Sequence, residues 1–124
     1  MSRAIDELIV FRVMGWVRWT GPSGRKCHGL PNEGGHRDIP EYSTDPAAAM
    51  EVVEKMRALG RKVTIETGYF GGKSVWDVAV SSSIKDPGGK SGIAVCETFA
   101  EAVCLAALRA VGVPEVEIEK ARTL

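Results

Sequence analysis

The chain has 124 residues, 44% of them hydrophobic and 26% charged, and its 16 Lys and Arg against 16 Asp and Glu give a formal charge of zero. That length supports one modest core, read as a single domain over residues 1–124, and not two. The charge balance excludes a broad cationic surface that would hold a nucleic-acid polymer by counterion release, and Cys27, Cys96 and Cys104 are too few and too irregularly spaced for a disulfide framework.

Between Met1 and Met14, Ile5, Leu8, Ile9, Arg12 and Val13 recur at helical intervals, which predicts an amphipathic first helix ending near Gly15. Trp16 to Thr20 reads as a short strand or extended segment. The stretch from Gly21 to Glu41 is polar, rich in Gly and Pro, and without period, so it reads as a long loop of the kind that is functional or mobile. Asp45 is then a natural N-cap with Pro46 at the first helical position. In the helix that follows, Ala49, Val52, Val53, Met56 and Leu59 share one arc, and Arg57 falls between Val53 and Met50 at its margin, where a solvated arginine is not expected. Lys62–Thr67 and Ser74–Ser81 alternate as strands, with Val63 and Ile65 on one face and Trp76, Val78 and Val80 on an equivalent one; Gly68 to Lys73 connects them as a hairpin. Ile93 to Cys96 is a third strand after a loop from Lys85 to Gly92. Thr98-x-x-Glu101 is a capping box, and its helix runs to Gly112 with Glu101 and Arg109 as its only charges. One small domain has little material to wrap so apolar a helix, so part of its surface is expected to be a subunit interface. Pro114 to Ala121 reads as a short, exposed terminal helix.

Tyr42-Ser43-Thr44-Asp45 with the following AAAMEVVEKM, the early Val13-Met14-Gly15-Trp16, and Glu97-Thr98 leading into AEAVCLAAL together resemble the phage αβα-sandwich domain family. That family includes anti-defence proteins of the Thoeris type, which act as sponges for nucleotide immune signals. The resemblance spans most of the chain and rests on order and spacing rather than on one motif. It departs where family members often carry an arginine directly after the cysteine of the last helix: here Leu105 follows Cys104, and Arg109 stands one turn further along the same stripe. The resemblance implies an α/β (α+β) fold, a small, mainly antiparallel β-sheet flanked by α-helices, assembled as a homodimer or as a hexamer. It also implies binding of glyco-cyclic ADP-ribose made by TIR proteins, with cyclic di- or trinucleotides of CBASS systems at a separate site, in the cytoplasm of a phage host.

On that footing Arg57 and Arg109 are expected to hold the ligand, since a guanidinium pairs two phosphate oxygens in a fork or stacks on a base. The competing reading pairs Arg57 with a carboxylate such as Glu54, and Arg109 with Glu101 or an acid of a second subunit. Trp16, Tyr69, Phe70 and Trp76 are the aromatic candidates. Tyr69 and Phe70 stand between glycines at a hairpin tip, where stacking on a base contributes about 1–3 kcal/mol per contact, or where they cap the core edge or meet another subunit; Trp76 is more often core. Gly88, Gly89, Lys90 and Ser91 offer the backbone and cation of a phosphate cradle, with Arg25 and Lys26 as helpers. They precede a strand and lack the P-loop spacing, so a solvated turn is the plainer reading.

Cys27, His28 and His36 lie close in sequence, but no second cysteine stands at ligand spacing, so neither a metal nor another cofactor is expected. Both histidines sit in that one stretch, with no G-x-S-x-G and no paired carboxylates in an apolar setting. No catalytic residue is assigned, and the chain is expected to bind without turnover rather than to act as an enzyme. No apolar run is long enough for a membrane span. The alternative is an accessory or structural phage homo-oligomer with no nucleotide ligand.

Overall fold

The computed structural model of the protein describes residues 3–31, 33–82 and 89–124. The chain opens on α1 (Arg3–Leu8), which runs directly into a π-helical turn, Ile9–Val13, where the Met14 amide donates to the Ile9 carbonyl five residues back. Gly15, at φ 78°, lets the chain leave this helix in a conformation that a Cβ would strain. β1 (Val17–Thr20) follows, within the short strand or extended segment expected from Trp16 to Thr20. The aperiodic stretch after it is not all loop, however: β2 (Lys26–Gly29) pairs antiparallel with β1, placing Arg18 opposite His28 and Thr20 opposite Lys26. The tetrapeptide Lys-Cys-His-Gly has no apolar alternation to announce a strand. Its register comes from the turn, where the Gly21 amide donates to the Arg25 carbonyl at 2.7 Å.

α2 (Pro46–Ala58) starts as its caps predict, with Asp45 Oδ1 accepting from the Ala47 amide at 3.0 Å. The turn before it is tied to α1 by Asp6, a buried carboxylate whose Oδ1 accepts from the Ser43 amide at 2.7 Å. Ala49, Val52, Val53 and Met56 are buried, but Leu59 is the C-cap and is 44% exposed, because the chain turns away at the next residue. β3 (Val63–Phe70) and β4 (Lys73–Val80) run to a two-residue turn at Gly71-Gly72, both at positive φ, and pair one for one from Val63↔Val80 to Phe70↔Lys73. β5 (Gly92–Cys96) pairs antiparallel with β4, giving the order β3-β4-β5. The loop expected before β5 lies partly outside the described residues, Gly88 included.

α3 (Phe99–Ala110) is capped by Thr98, whose Oγ1 accepts from the Glu101 amide at 3.4 Å, and α4 (Glu115–Arg122) closes the chain. α3 is the centre of the molecule. β4 and β5 cover one side of it, while α2, the π turn and α4 cover the others, and nine of its twelve residues are buried. This corrects the expectation that its uncharged circumference marks a subunit interface: the chain's own elements take up that surface, and the alanines along it let them approach closely. α4 is likewise less exposed than its charge suggests, because Ile118 is fully buried, which contributes about 1.5–3 kcal/mol.

The architecture is α+β, with two small antiparallel sheets and four α-helices among the described residues. Val63, Ile65, Trp76, Val78, Val80 and Ala94 share the face of the three-stranded sheet on which α3 packs. The opposite face carries Ile93 and Val95, which are 60% and 51% exposed.

Candidate functional site

The hairpin β1–β2 lies beside the first helix and leaves a groove of about 460 Å³ between them. Cross-strand pairing puts Arg18, Thr20, Lys26 and His28 on one hairpin face, since residues directly opposite in a ladder point the same way. Phe11, on the π turn, meets that face. Its ring holds the Arg18 guanidinium 3.6 Å from its centroid and takes the His28 ring edge-on at 6.1 Å. π-helical turns are often found at functional sites, and here the widened turn carries the ring that fixes the cation. Trp19, half-buried, lines the same groove.

Among the described residues Arg18 has no hydrogen-bond acceptor and no carboxylate partner, although Glu7 also lines the groove and is bridged to Arg3 at 3.8 Å instead. A guanidinium positioned by cation–π contact keeps its N–H fork free for a planar anion. The His28 ring lies 4.5 Å from that of His36, tilted at 45°, and 6.2 Å from Trp16, and the His28 backbone amide donates to His36 Nδ1 at 3.3 Å. Its own Nδ1 is buried without a hydrogen-bond partner among the described residues. Two cations, a hydroxyl and two aromatic rings therefore line a space within the usual size range of small-ligand sites.

The residues singled out from sequence are spread over other surfaces. Arg57 is exposed on α2 and pairs with Glu54 at 3.1 Å. Arg109 pairs with Glu115 of α4 at 2.6 Å, not with Glu101, and donates to the Ile93 carbonyl at 2.8 Å; Glu101 meets Arg122 instead. Trp16 is buried in the core, and Trp76 is half-buried with its ring edge-on to Phe99 at 5.3 Å. Tyr69 and Phe70 stand 82% and 77% exposed at the β3–β4 tip. Arg25 lies in the β1–β2 turn, and the carbonyl of Lys90, just before β5, accepts from Arg61 at 2.8 Å. Gly89 and Ser91 flank Lys90, and Gly88 falls outside the described residues. Of the residues weighed as ligand contacts only Lys26 lines the groove, together with Cys27 and His28 of the set rejected as metal ligands. Arg18, Phe11 and Thr20 escaped notice because only the unannounced strand β2 brings them together.

Three groups have proton affinities displaced by burial. The Tyr42 hydroxyl is raised to about 12, chiefly by loss of water and then by Glu51. The Cys96 thiol is raised to about 11, again by burial first and then by Glu101, and Cys104, wholly enclosed in α3, is raised further. No helix among the described residues is long and apolar enough to cross a membrane, and no group of three or more His, Cys, Asp or Glu among them could hold a metal ion.

No curated protein and no solved structure matches the chain. The sequence profile of the phage ABA sandwich domain does match, over residues 7–108, a span that holds the groove, both sheets, α2 and most of α3. The chain belongs to the phage ABA sandwich domain family.

Proposed function

We propose that the protein binds a small anionic nucleotide in the groove between the first helix and the β1–β2 hairpin, and that it does so to sequester a cyclic immune signal, glyco-cyclic ADP-ribose first among them. The observation that carries this reading is Arg18, held 3.6 Å over the Phe11 ring with its fork unengaged. Phosphate oxygens fit that fork, Lys26 and Thr20 add a charge and a donor, and Trp19 offers a ring face to a base. Membership of a phage family agrees with an anti-defence role. A sponge needs tight ground-state binding and slow release rather than a catalytic set. Cyclic di- and trinucleotides would belong to a separate site, with Arg25 and the Gly88–Ser91 segment as its candidates.

Calorimetry with glyco-cyclic ADP-ribose tests the reading. Replacing a charge-assisted hydrogen bond costs about 1.5–3 kcal/mol, so Arg18→Gln should bind roughly ten- to a hundredfold more weakly than the parent. Heating the complex should return the intact ligand. Unchanged affinity in Arg18→Gln, with loss in Arg57→Ala or Arg109→Ala, would move the site to the helices. A cleaved nucleotide in the supernatant would make the protein a hydrolase.

The second reading, an accessory or structural phage protein without a small ligand, is favoured by the open sheet face and the bare hairpin tip. It predicts no heat of binding with any nucleotide.

A further inference from the structure

We infer that two copies of this chain join through the free edge of β3, antiparallel and centred on Thr67, to make one continuous six-stranded sheet. This is independent of the ligand reading. A homodimer is expected from the resemblance, but nothing in that expectation says which surface makes it, and the burial of α3 removes the surface first considered.

β3 pairs with β4 on one side only, so the amides and carbonyls along its other side have no partner among the described residues. Free edges of this length are usually guarded by proline, lysine, a bulge or a covering element. β3 has none of these, and Glu66 is its one charge. Its sequence is VTIETGYF, its register with β4 is unbroken over eight pairs, and α2 touches it only lightly. The other edge strand, β5, is shorter, and the Arg109 guanidinium already occupies its Ile93 carbonyl.

The side chains select a second copy and a register. Val63, Ile65, Thr67 and Tyr69 point to the helix-covered face, and Thr64, Glu66, Gly68 and Phe70 to the open one. An antiparallel pair must match like faces, because a one-residue slip inverts every side chain. Centring on Glu66 would set two carboxylates directly opposite each other, beside Asp77, which already faces Glu66 across β4. Centring on Ile65 would leave Tyr69 and Phe70 beyond the paired segment. Centring on Thr67 avoids both faults. Glu66 then faces Gly68 of the second copy, Thr67 faces itself, Phe70 faces Thr64, and Tyr69 lies on Ile65. That last pair covers a tyrosine that is 82% exposed and an isoleucine that is 38% exposed on the face where a lone protomer has nothing to offer them. An aromatic ring opposite a β-branched side chain and a threonine opposite a threonine are both favourable cross-strand pairs. The contact is isologous and closed, so it stops at two.

Cysteine cross-linking and mass measurement test this. In a Cys27→Ser, Cys96→Ser background, Thr67→Cys should form a disulfide-linked dimer under mild oxidation, because directly opposed strand residues lie within bridging distance. Glu66→Cys alone should not cross-link, whereas Glu66→Cys mixed with Gly68→Cys should. Sedimentation of the parent should give a dimer at tens of micromolar, and Thr67→Lys a folded monomer whose melting temperature, unlike the parent's, does not rise with protein concentration. Cross-linking by Glu66→Cys alone would overturn the register. A parent that sediments as a monomer, or a Thr67→Lys that still sediments as a dimer, would overturn pairing through β3.

Discussion

Gly92→Ala is the sharpest test of how the sheet meets its central helix. A Cβ at Gly92 would lie 2.5 Å from the Ala110 amide nitrogen and 2.9 Å from Arg109 Cβ, and nearer still to the Ala106 carbonyl oxygen. Two of those three obstacles are backbone, so no side-chain rotation relieves them. Ordinary contact would require β5 and α3 to separate by about 1 Å. That movement loosens the packing of Ala94 on α3 and stretches the Arg109 bond to the Ile93 carbonyl. Overpacking typically costs 1–3 kcal/mol, and with the backbone in the way we expect about 3 kcal/mol. For a chain of this length each kcal/mol moves Tm by roughly 3–6 °C, so Tm should fall by roughly 9–18 °C. Thermal melts followed by circular dichroism measure this, with Gly35→Ala as the control, since a Cβ there meets nothing within 4 Å. If Gly92→Ala melts within about 2 °C of the parent, β5 and α3 do not approach as described, and the argument from close packing fails.

Thiol labelling should separate the three cysteines. At about pH 8 a thiol raised to about 11 is ionised in roughly one molecule in a thousand, so Cys96 should react slowly, Cys104 only after unfolding, and half-buried Cys27 first; three equivalents released at one rate would contradict the burial pattern. The same groups set an alkaline limit. Tyr42, Cys96 and Cys104 all bind their protons more tightly folded than unfolded, so their contribution is fully present below about pH 9 and is lost as the pH rises toward 12. Melting temperature should therefore decline above about pH 9.5, and a Tm that holds or rises to about pH 10.5 would refute this.

Helix starts were legible because capping is written in single side chains: Asp45-Pro46 and Thr98 act on amides two or three residues away, without help from the rest of the fold. The β3–β4 pairing was legible for a similar reason, since alternation and a glycine turn are local. β2 was not, because its strand character lies in its register with β1 and not in Lys-Cys-His-Gly. The candidate groove went unseen with it. The surroundings of α3 are not legible in its sequence, because periodicity reports that a helix is covered but not by what. Arg57, at the margin of the apolar arc, is exposed and pairs with Glu54.

The central position of α3 also fixes when the protein can fold as it is made. The helix begins at Phe99, yet it packs on the π turn that starts at Ile9, about ninety residues earlier. At roughly 5–20 residues per second, the first helix leaves the ribosome on the order of 5–20 s before the element that covers it. During that interval Val10, Val13, Val52 and Met56 present their apolar surfaces to the cytosol of whichever cell makes the chain. A nascent chain stalled before Thr98 has a sheet and a flank but no middle, and its uncovered apolar surface is prone to aggregation.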